Sequence, residues 1–578
     1  MQRKKPFSAK QRKAQLQQKR AIKRGDIDPP PPQDRHKKSR RAAVPIADGS
    51  SSREAVAEST RRLQSHFVKL PQKFLEDTKQ LAAILHLPRP IPADAALLHI
   101  DAAAIASASQ DLALQRSDSE ESQNQAAKLT CPKRPKWRYD MSKKEVEKNE
   151  EGLFGKWLDQ ADEIVNDWCD VSMDSSSPSN SMNSASDVTH EMPRAPTSFE
   201  RNLEVWRQLW RVTEISQIIL ILLDSRCPLL HFPPSLSAYL SSPHIANRTR
   251  TILVLTKVDI TGHTRADEWT RFLKIKFPRL PIVRVEAYAD TVNPESGAAA
   301  GRRAHQPHIP PKFRQSLVQA LREMHDELLQ PPDRLKGHPE RLAKWKPSVR
   351  RNVSWDAVLS AQGGQVGTAV GGATAPRPSH DEPRPGGASG DEDDGSETEP
   401  EYLTIGLIGQ PNVGKSSLLN ALFGIPKVKA SRTPGKTKHF QTLFWTPEVR
   451  LVDCPGLVMP NLIPMEVQVL SGILPISRVS AIPLCIYHAA RLLPLERLFN
   501  LTHPSLTEAP VADKRTWREP RVVESGSERK AVGEQKWTAM DILTAYALKK
   551  GWVTAKAGRP DVNRAGNFST SLIFVSLK

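Results

Sequence analysis

Gly409-Gln410-Pro411-Asn412-Val413-Gly414-Lys415-Ser416 fits the phosphate-cradling pattern G-x-x-x-x-G-K-[ST]. An apolar run from Leu403 to Ile408 precedes it, and a helix-like stretch, Ser417-Leu418-Leu419-Asn420-Ala421-Leu422, follows. The motif needs this strand-turn-helix context, because the N–H groups of the turn and the helix start must converge on one anion. Gly409 and Gly414 let the backbone turn, so that N–H groups along Asn412, Val413, Gly414, Lys415, Ser416 and Ser417 surround the phosphates. Lys415 reaches the β and γ oxygens, and the Ser416 hydroxyl ligates Mg²⁺.

Downstream, Val449-Arg450-Leu451-Val452 runs into Asp453-Cys454-Pro455-Gly456, a D-x-x-G segment behind a predicted β-ribbon. Asp453, at a strand end, can hold Mg²⁺ through water, and the Gly456 amide can bind a γ-phosphate. Between the two motifs, Ser431-Arg432-Thr433-Pro434-Gly435-Lys436-Thr437 is a flexible loop with two candidate threonines. Thr437 directly precedes the predicted strand and is preferred as the Mg²⁺ ligand that closes on the γ-phosphate, with Thr433 as the alternative.

Thr256-Lys257-Val258-Asp259 ends the apolar run Thr251 to Leu255. The Asp259 carboxylate can accept from the N1–H and exocyclic amine of guanine, a donor pair that adenine lacks. The aliphatic stem of Lys257 can cover the base. A lone K-x-D is usually an ordinary strand-end turn; the P-loop in the same chain favours the base reader. Ala287, within Glu286-Ala287-Tyr288 at the end of the next strand, is placed to offer a backbone N–H to the guanine carbonyl. The base reader thus comes first in the chain and the phosphate loop second.

Strands and helices alternate from Gln217 to Leu329, which predicts an α/β fold with a parallel sheet. The predicted strands are Gln217 to Leu223, Thr251 to Leu255 and Ile282 to Ala287. The predicted helices are Ser235 to Leu240, Ala266 to Phe277 and Lys312 to Leu329. Phe199, Leu203, Trp206 and Trp210 recur at helical spacing, and this stripe reads as a helix packed on the sheet. Lys143 to Gln160 reads as a charged helix, Asp174 to Pro196 as a Ser/Asn-rich insert, and Gly363 to Pro400 as a linker with an acidic run at Asp391 to Asp394. Residues 42–130 show only weak helical periodicity, around Thr60 to Leu87. Three regions follow. Residues 1–130 form a basic, largely disordered extension; residues 131–464 form the nucleotide-binding domain, with disordered inserts near 170–198 and 350–400; residues 465–578 form a small helical region.

Forty-eight prolines and a mean hydropathy of -0.48 mean that much of the 578-residue chain should not pack. The net charge of +19 points to a polyanionic partner, most simply RNA. Basic clusters crowd residues 1–41, from Arg3-Lys4-Lys5 to Lys37-Lys38-Ser39-Arg40-Arg41, and suit a nuclear or nucleolar address or an RNA-binding arm; the bland alternative is a solvated tail. Five scattered cysteines show no zinc-ligand spacing, which suggests a reduced compartment. The longest apolar run, Ile218 to Leu223, is too short to span a membrane, so a soluble intracellular monomer is expected.

With these residues placed, the chain resembles the circularly permuted GTPases of ribosome assembly, in the group of guanine nucleotide-binding protein-like 1. The resemblance is carried by Arg3-Lys4-Lys5-Pro6-Phe7-Ser8, Leu203 to Val212, Asp224-Ser225-Arg226-Cys227-Pro228 and Phe232-Pro233-Pro234. The P-loop, Ser431 to Gly435, Asp453 to Leu457, Thr554 to Arg559 and Asp561 to Arg564 complete it. It implies a circularly permuted P-loop GTPase domain, a mostly parallel sheet with helices on both faces. It also implies binding of GTP and GDP, slow hydrolysis of GTP and nuclear or nucleolar traffic, with a pre-ribosomal particle, rRNA or ribosomal proteins as partners. In such GTPases a hydrophobic residue replaces the catalytic glutamine, and Leu457 stands there. Asn412 resembles the P-loop asparagine of relatives that recruit K⁺, which places it with Lys415, Thr437 and Gly456 among the catalytic residues. The chain departs from the pattern at Thr256, where asparagine is usual, at Ser225, where alanine is frequent, and after Asn567. Thr256 and Leu457 also fit a second reading, a nucleotide-gated RNA and protein scaffold in the nucleolus with weak catalysis.

Overall fold

Strand β1, Ile218–Asp224, is buried at every position, as expected of a continuous apolar run in a parallel sheet covered on both faces. The computed structural model describes residues 65–91, 128–138, 140–174, 192–289, 306–332, 339–361, 400–428, 441–475, 481–507, 536–554 and 558–576. All of them lie in the compact unit Ser59–Lys578. The basic tail 1–41, the acidic run Asp391–Asp394 and the loop carrying Thr433 and Thr437 lie outside the described residues, as does most of both inserts.

Beside β1 run β2 (Arg250–Thr256) and β6 (Leu403–Ile408), both parallel to it. The six-stranded sheet has the order β3-β2-β1-β6-β8-β7, where β3 is Ile282–Arg284, β7 Gln441–Phe444 and β8 Val449–Asp453. Only the edge strand β7 is antiparallel to its neighbour. A separate two-stranded ribbon joins β4 (Tyr288–Ala289) to β5 (Gln306–Pro307). The third predicted strand therefore ends at Arg284, and Tyr288 turns into this ribbon.

Strand side chains alternate between faces, and two apolar cores form. Ile218, Leu220, Leu222, Ile252 and Val254 face a core that includes Leu317, Leu321, Leu418 and Leu422 of helices Pro311–Leu328 and Lys415–Phe423. Ile219, Ile221, Leu223, Leu253 and Leu255 face the other, with Trp206, Leu209 and Trp210 of helix Leu203–Ile215, Leu236 of Pro234–Leu240 and Leu273 of His263–Lys276. The tryptophan stripe is thus core. Each indole N–H also donates, Trp206 to the Glu200 carbonyl at 2.8 Å and Trp210 to the Pro132 carbonyl at 2.9 Å.

Two helices also differ from the sequence expectations, the first in its length and the second in its packing. The charged helix predicted to stop at Gln160 runs over Lys143–Asp174, because Phe154, Trp157, Ala161 and Val165 keep helical spacing among the charges and pack inward. Helix Gln72–Ile84, within the extension expected to hold no domain, packs with the C-terminal helices Ile482–Leu492 and Ala539–Lys549. Ala82 and Leu87 join Ile486, Ile542 and Leu543 in one cluster, and Arg89 forks onto Glu496 at 2.7 and 2.8 Å. The pattern was faint because this helix buries only Thr78 and Ala82 completely. The sequence after Asn567 continues helix Val562–Ser576, and Phe568 meets Tyr546 and Trp552 at 6.2 and 5.4 Å. Among the described residues, no helix is long and apolar enough to cross a membrane.

Candidate functional site

The P-loop leaves β6 at Gly409, where a Cβ would lie 2.9 Å from Val413 Cγ2 and 3.0 Å from the Leu222 carbonyl oxygen. Only glycine fits so close to the neighbouring strand. Asn412 and Gly414 adopt positive φ, 61° and 99°, and Gly414 opens helix Lys415–Phe423. Left-handed backbone at these positions is the kind of turn whose successive N–H groups can converge on an anion. Lys415 is buried, and its Nζ donates to the Gly409 and Gln410 carbonyls at 2.6 and 2.9 Å. Burial pushes its ammonium pKa down to about 8, against the opposing charges of Asp453 and Cys454.

The D-x-x-G segment is brought against this loop. A Cβ on Gly456 would meet Pro411 Cα at 2.9 Å and Lys415 Nζ at 3.5 Å. Asp453, at the end of β8, is completely buried, and both of its carboxylate oxygens lack a hydrogen-bond partner among the described residues. Burial pushes its carboxyl up to about 6, although the Lys415 charge pulls it down. Two orphaned anionic oxygens beside the Lys415 helix that carries Ser416 have the chemistry of an Mg²⁺ site fed by carboxylate and hydroxyl. The residues present therefore fit Mg²⁺.

This has a pH consequence. Asp453 binds its proton more tightly folded than unfolded, so its stabilising contribution is fully present below the ordinary carboxylate value of about 4. It is lost as pH rises through about 6. The Asp453→Asn variant, without this titration, is expected to gain on the wild type by on the order of 2 kcal/mol between pH 4 and pH 7 in nucleotide-free, Mg²⁺-free buffer. Urea unfolding of both proteins across that range measures it, and a pH-independent difference would refute it.

The segment expected to read the base meets the P-loop from the other side. Thr256 Oγ1 donates to the Leu223 carbonyl at 3.0 Å and the Val413 carbonyl at 2.5 Å. Its hydroxyl thus ties the end of β2 to the P-loop. Lys257 has φ 59° and is paired through Nζ with Asp224 at 2.6 Å. Asp259 lies on the first turn of the short helix Val258–Thr261 and is exposed. Ala287 is half-buried on the first core, and its carbonyl accepts from the His308 N–H at 3.2 Å. The next residue, Tyr288, donates its hydroxyl to Ser417 Oγ at 3.0 Å, which brings the segment around Ala287 to the P-loop helix.

Two contacts were not legible in the sequence. Asn412 Nδ2 donates to the Gly472 carbonyl at 2.8 Å, in the turn after helix Met465–Leu470, so the P-loop is bonded to the C-terminal region. Gln410 Nε2 donates to the Leu230 carbonyl at 2.6 Å. Both partners are backbone oxygens far away in the chain, and a backbone acceptor leaves no signature in residue type. Leu457 is buried within the second core, among the side chains of Val452, Cys454 and Met459.

A mostly parallel sheet with helices on both faces, a P-loop on its fourth strand in spatial order and strands β1 to β3 placed ahead of that loop in the chain define a circularly permuted P-loop GTPase fold. Residues 404–499 match the family model described as 50S ribosome-binding GTPase. The chain is similar to guanine nucleotide-binding protein-like 1 of Rattus norvegicus, 32% identical over 442 residues, covering 76% of this chain and 62% of that protein. The Homo sapiens protein of the same name is 32% identical over 444 residues with the same coverage. GTPase LSG1-1 of Arabidopsis thaliana is 29% identical over 452 residues, covering 76% of this chain and 65% of its own length. The chain thus spans less than two thirds of these curated relatives. Among solved structures, GNP-bound YlqF from T. maritima is 14% identical, with a TM-score of 0.29, covering 64% of this chain and 94% of that one.

Proposed function

We propose that the protein binds GTP and GDP and hydrolyses GTP slowly, as a molecular switch in ribosome biogenesis. The observation that carries this is the buried Asp453 carboxylate beside Lys415, which has no hydrogen-bond partner among the described residues, with Gly456 packed on Pro411. Such an arrangement is costly to fold and suits a cation-bound phosphate chain. The relatives' names, a guanine nucleotide-binding protein and a GTPase, point the same way.

In this reading the amides of Asn412, Val413, Gly414, Lys415, Ser416 and Ser417 hold the phosphates. Lys415 moves its donors from the Gly409 and Gln410 carbonyls to phosphate oxygens, and the Gly456 amide meets the γ-phosphate. Ser416, Asp453 and Thr437 would hold Mg²⁺, which would supply positive charge against that developing on the phosphates. Asp259 and Lys257 hold the base, with Ala287 beside it and Thr256 fixing their strand to the P-loop. Leu457 is committed to the core and has no group to orient water.

Asn412 would hold a monovalent cation, which would supply the missing charge. Its amide nitrogen is engaged by Gly472, which leaves Oδ1 as the oxygen for K⁺. Exchange of Na⁺ for K⁺ at constant ionic strength is expected to raise single-turnover GTP hydrolysis at least about tenfold, and by no more than the factor of about 10³–10⁵ attributed to an arginine finger. Asn412→Ala is expected to abolish that difference. A wild-type rate indifferent to the cation would refute the assignment, and no GTP turnover with or without ribosomal particles would favour the scaffold.

The partners in this reading are a pre-ribosomal particle or rRNA, with ribosomal proteins as further contacts. The protein acts as a monomer in the nucleus and nucleolus and shuttles to the cytoplasm. The charge of +19 and the basic residues of segment 1–41 support a polyanionic partner. Deletion of residues 1–41 is expected to disperse the protein from the nucleolus and to flatten the dependence of RNA affinity on salt, because fewer counterions are released. Fluorescence localisation and titrations at several salt concentrations check this; unchanged localisation and slope would return the segment to a solvated tail.

A further inference from the structure

The last residue of β1 is an aspartate, Asp224, which is 1% exposed after six buried apolar residues. A lone carboxylate there would be strongly destabilising. Two cations meet it. Arg226 Nε lies 3.0 and 3.2 Å from its two oxygens and Nη2 lies 2.7 Å from Oδ2; Lys257 Nζ lies 2.6 Å from Oδ2. Burial alone would push the Asp224 carboxyl up, but the Arg226 hydrogen bonds and the Lys257 charge carry it well below the usual range.

Lys257 is the lysine of the base-reading segment, and its backbone lies in the left-handed region at φ 59°. Its ammonium is anchored on the sheet side, so the direction of its stem is fixed. The same turn is tied at two further points. The Ser225 N–H donates to the Thr256 carbonyl at 3.1 Å, and Ser225 Oγ bonds Thr261 Oγ1 at 2.8 Å, at the far end of the helix Val258–Thr261 that carries Asp259. Beyond Cys227 the segment reaches Leu230, whose carbonyl accepts from Gln410 of the P-loop at 2.6 Å.

We infer that Asp224 is the positioning residue of the base-reading turn, setting guanine selectivity through Lys257 while Arg226 locks its carboxylate and Ser225 pins the helix of Asp259. This rests on the guanine-nucleotide reading above. Asp224 touches neither base nor phosphate in this role. It orients the lysine stem that covers the base, while the short helix Pro228–His231 that follows braces the phosphate site from Leu230.

Competition titrations of the full-length chain with GDP and ADP test it, because a positioning role changes their affinity ratio whereas a general loss of structure lowers both alike. Asp224→Asn keeps the shape and removes the charge; it is expected to cut the preference for GDP over ADP by about tenfold or more, with ADP affinity held. Arg226→Gln, which leaves Asp224 and Lys257 in place, is expected to move the ratio in the same direction by less, and it decides the matter if the first variant does not fold. An unchanged ratio in a folded Asp224→Asn protein, or failing that in Arg226→Gln, overturns the inference. A wild type without preference for GDP overturns the guanine reading itself, before any variant is made.

Discussion

Asp259→Asn is expected to transfer the protein's preference from guanosine to xanthosine nucleotides. A carboxylate offers two acceptors to the N1–H and exocyclic amine of guanine. An amide offers one acceptor and one donor, and the donor matches the carbonyl that xanthine has where guanine carries its amine. The cost of a mismatch is large, because a buried group left without its partner loses its hydration without replacement. Sites built around such a pair can discriminate by about 10⁴. Asp259 is exposed on a short helix whose ends are held by Lys257 and Thr261, so the exchange should leave the fold alone. Competition among GDP, XDP and ADP for the variant reads the outcome directly. Retained preference for GDP would remove Asp259 from base recognition.

Asp453→Asn is expected to raise the stability of the nucleotide-free protein and to lower GTP hydrolysis by at least about a hundredfold. The two effects share a cause. Both Asp453 oxygens are buried without partners among the described residues, so the ionised side chain opposes folding, and the neutral amide relieves that cost. The same oxygens supply the negative charge a divalent cation needs, and an amide coordinates Mg²⁺ far less well. Loss of an electrostatic contact made at the developing charge costs about 10²–10³ in rate. A site that trades stability for activity is a recognised pattern of functional residues. Thermal melts with and without Mg²⁺·GDP, set beside single-turnover rates, check both halves. A less stable variant with normal turnover would contradict the assignment of Mg²⁺ to Asp453.

The sheet was legible because its strands are buried on both faces. Ile218–Asp224 and Leu403–Ile408 are near-continuous apolar runs, and no helical pattern competes with them. The P-loop was legible because phosphate binding restricts residue types at fixed spacing, and Gly409 and Gly456 do make the close approaches that exclude a side chain. Helix Gln72–Ile84 was only faintly visible, since its partners Ile486 and Ile542 lie some four hundred residues away in the chain. The extension of Lys143–Asp174 past Gln160 was hidden by charges that sit between its apolar positions. At the site, Thr256 was expected only to read the base, yet its hydroxyl bonds the Val413 carbonyl and joins two motifs. Asp224 stood in the sequence only as part of a segment that carries the resemblance, and Gln410 only as a variable P-loop position; their roles come from contacts with Lys257 and Leu230 that only folding creates.

The central claim is that one pocket, built from exchanged halves of the chain, binds guanine nucleotides through Mg²⁺ and turns GTP over. It is tested most directly by titrating the purified full-length protein with fluorescent GDP in Mg²⁺ and K⁺, competing with GTP and ATP, and following phosphate release in the same samples. The account predicts displacement by GTP and not by ATP, loss of binding when Mg²⁺ is chelated, and slow release of phosphate from GTP alone. Equal displacement by GTP and ATP, or no binding of either, would contradict it.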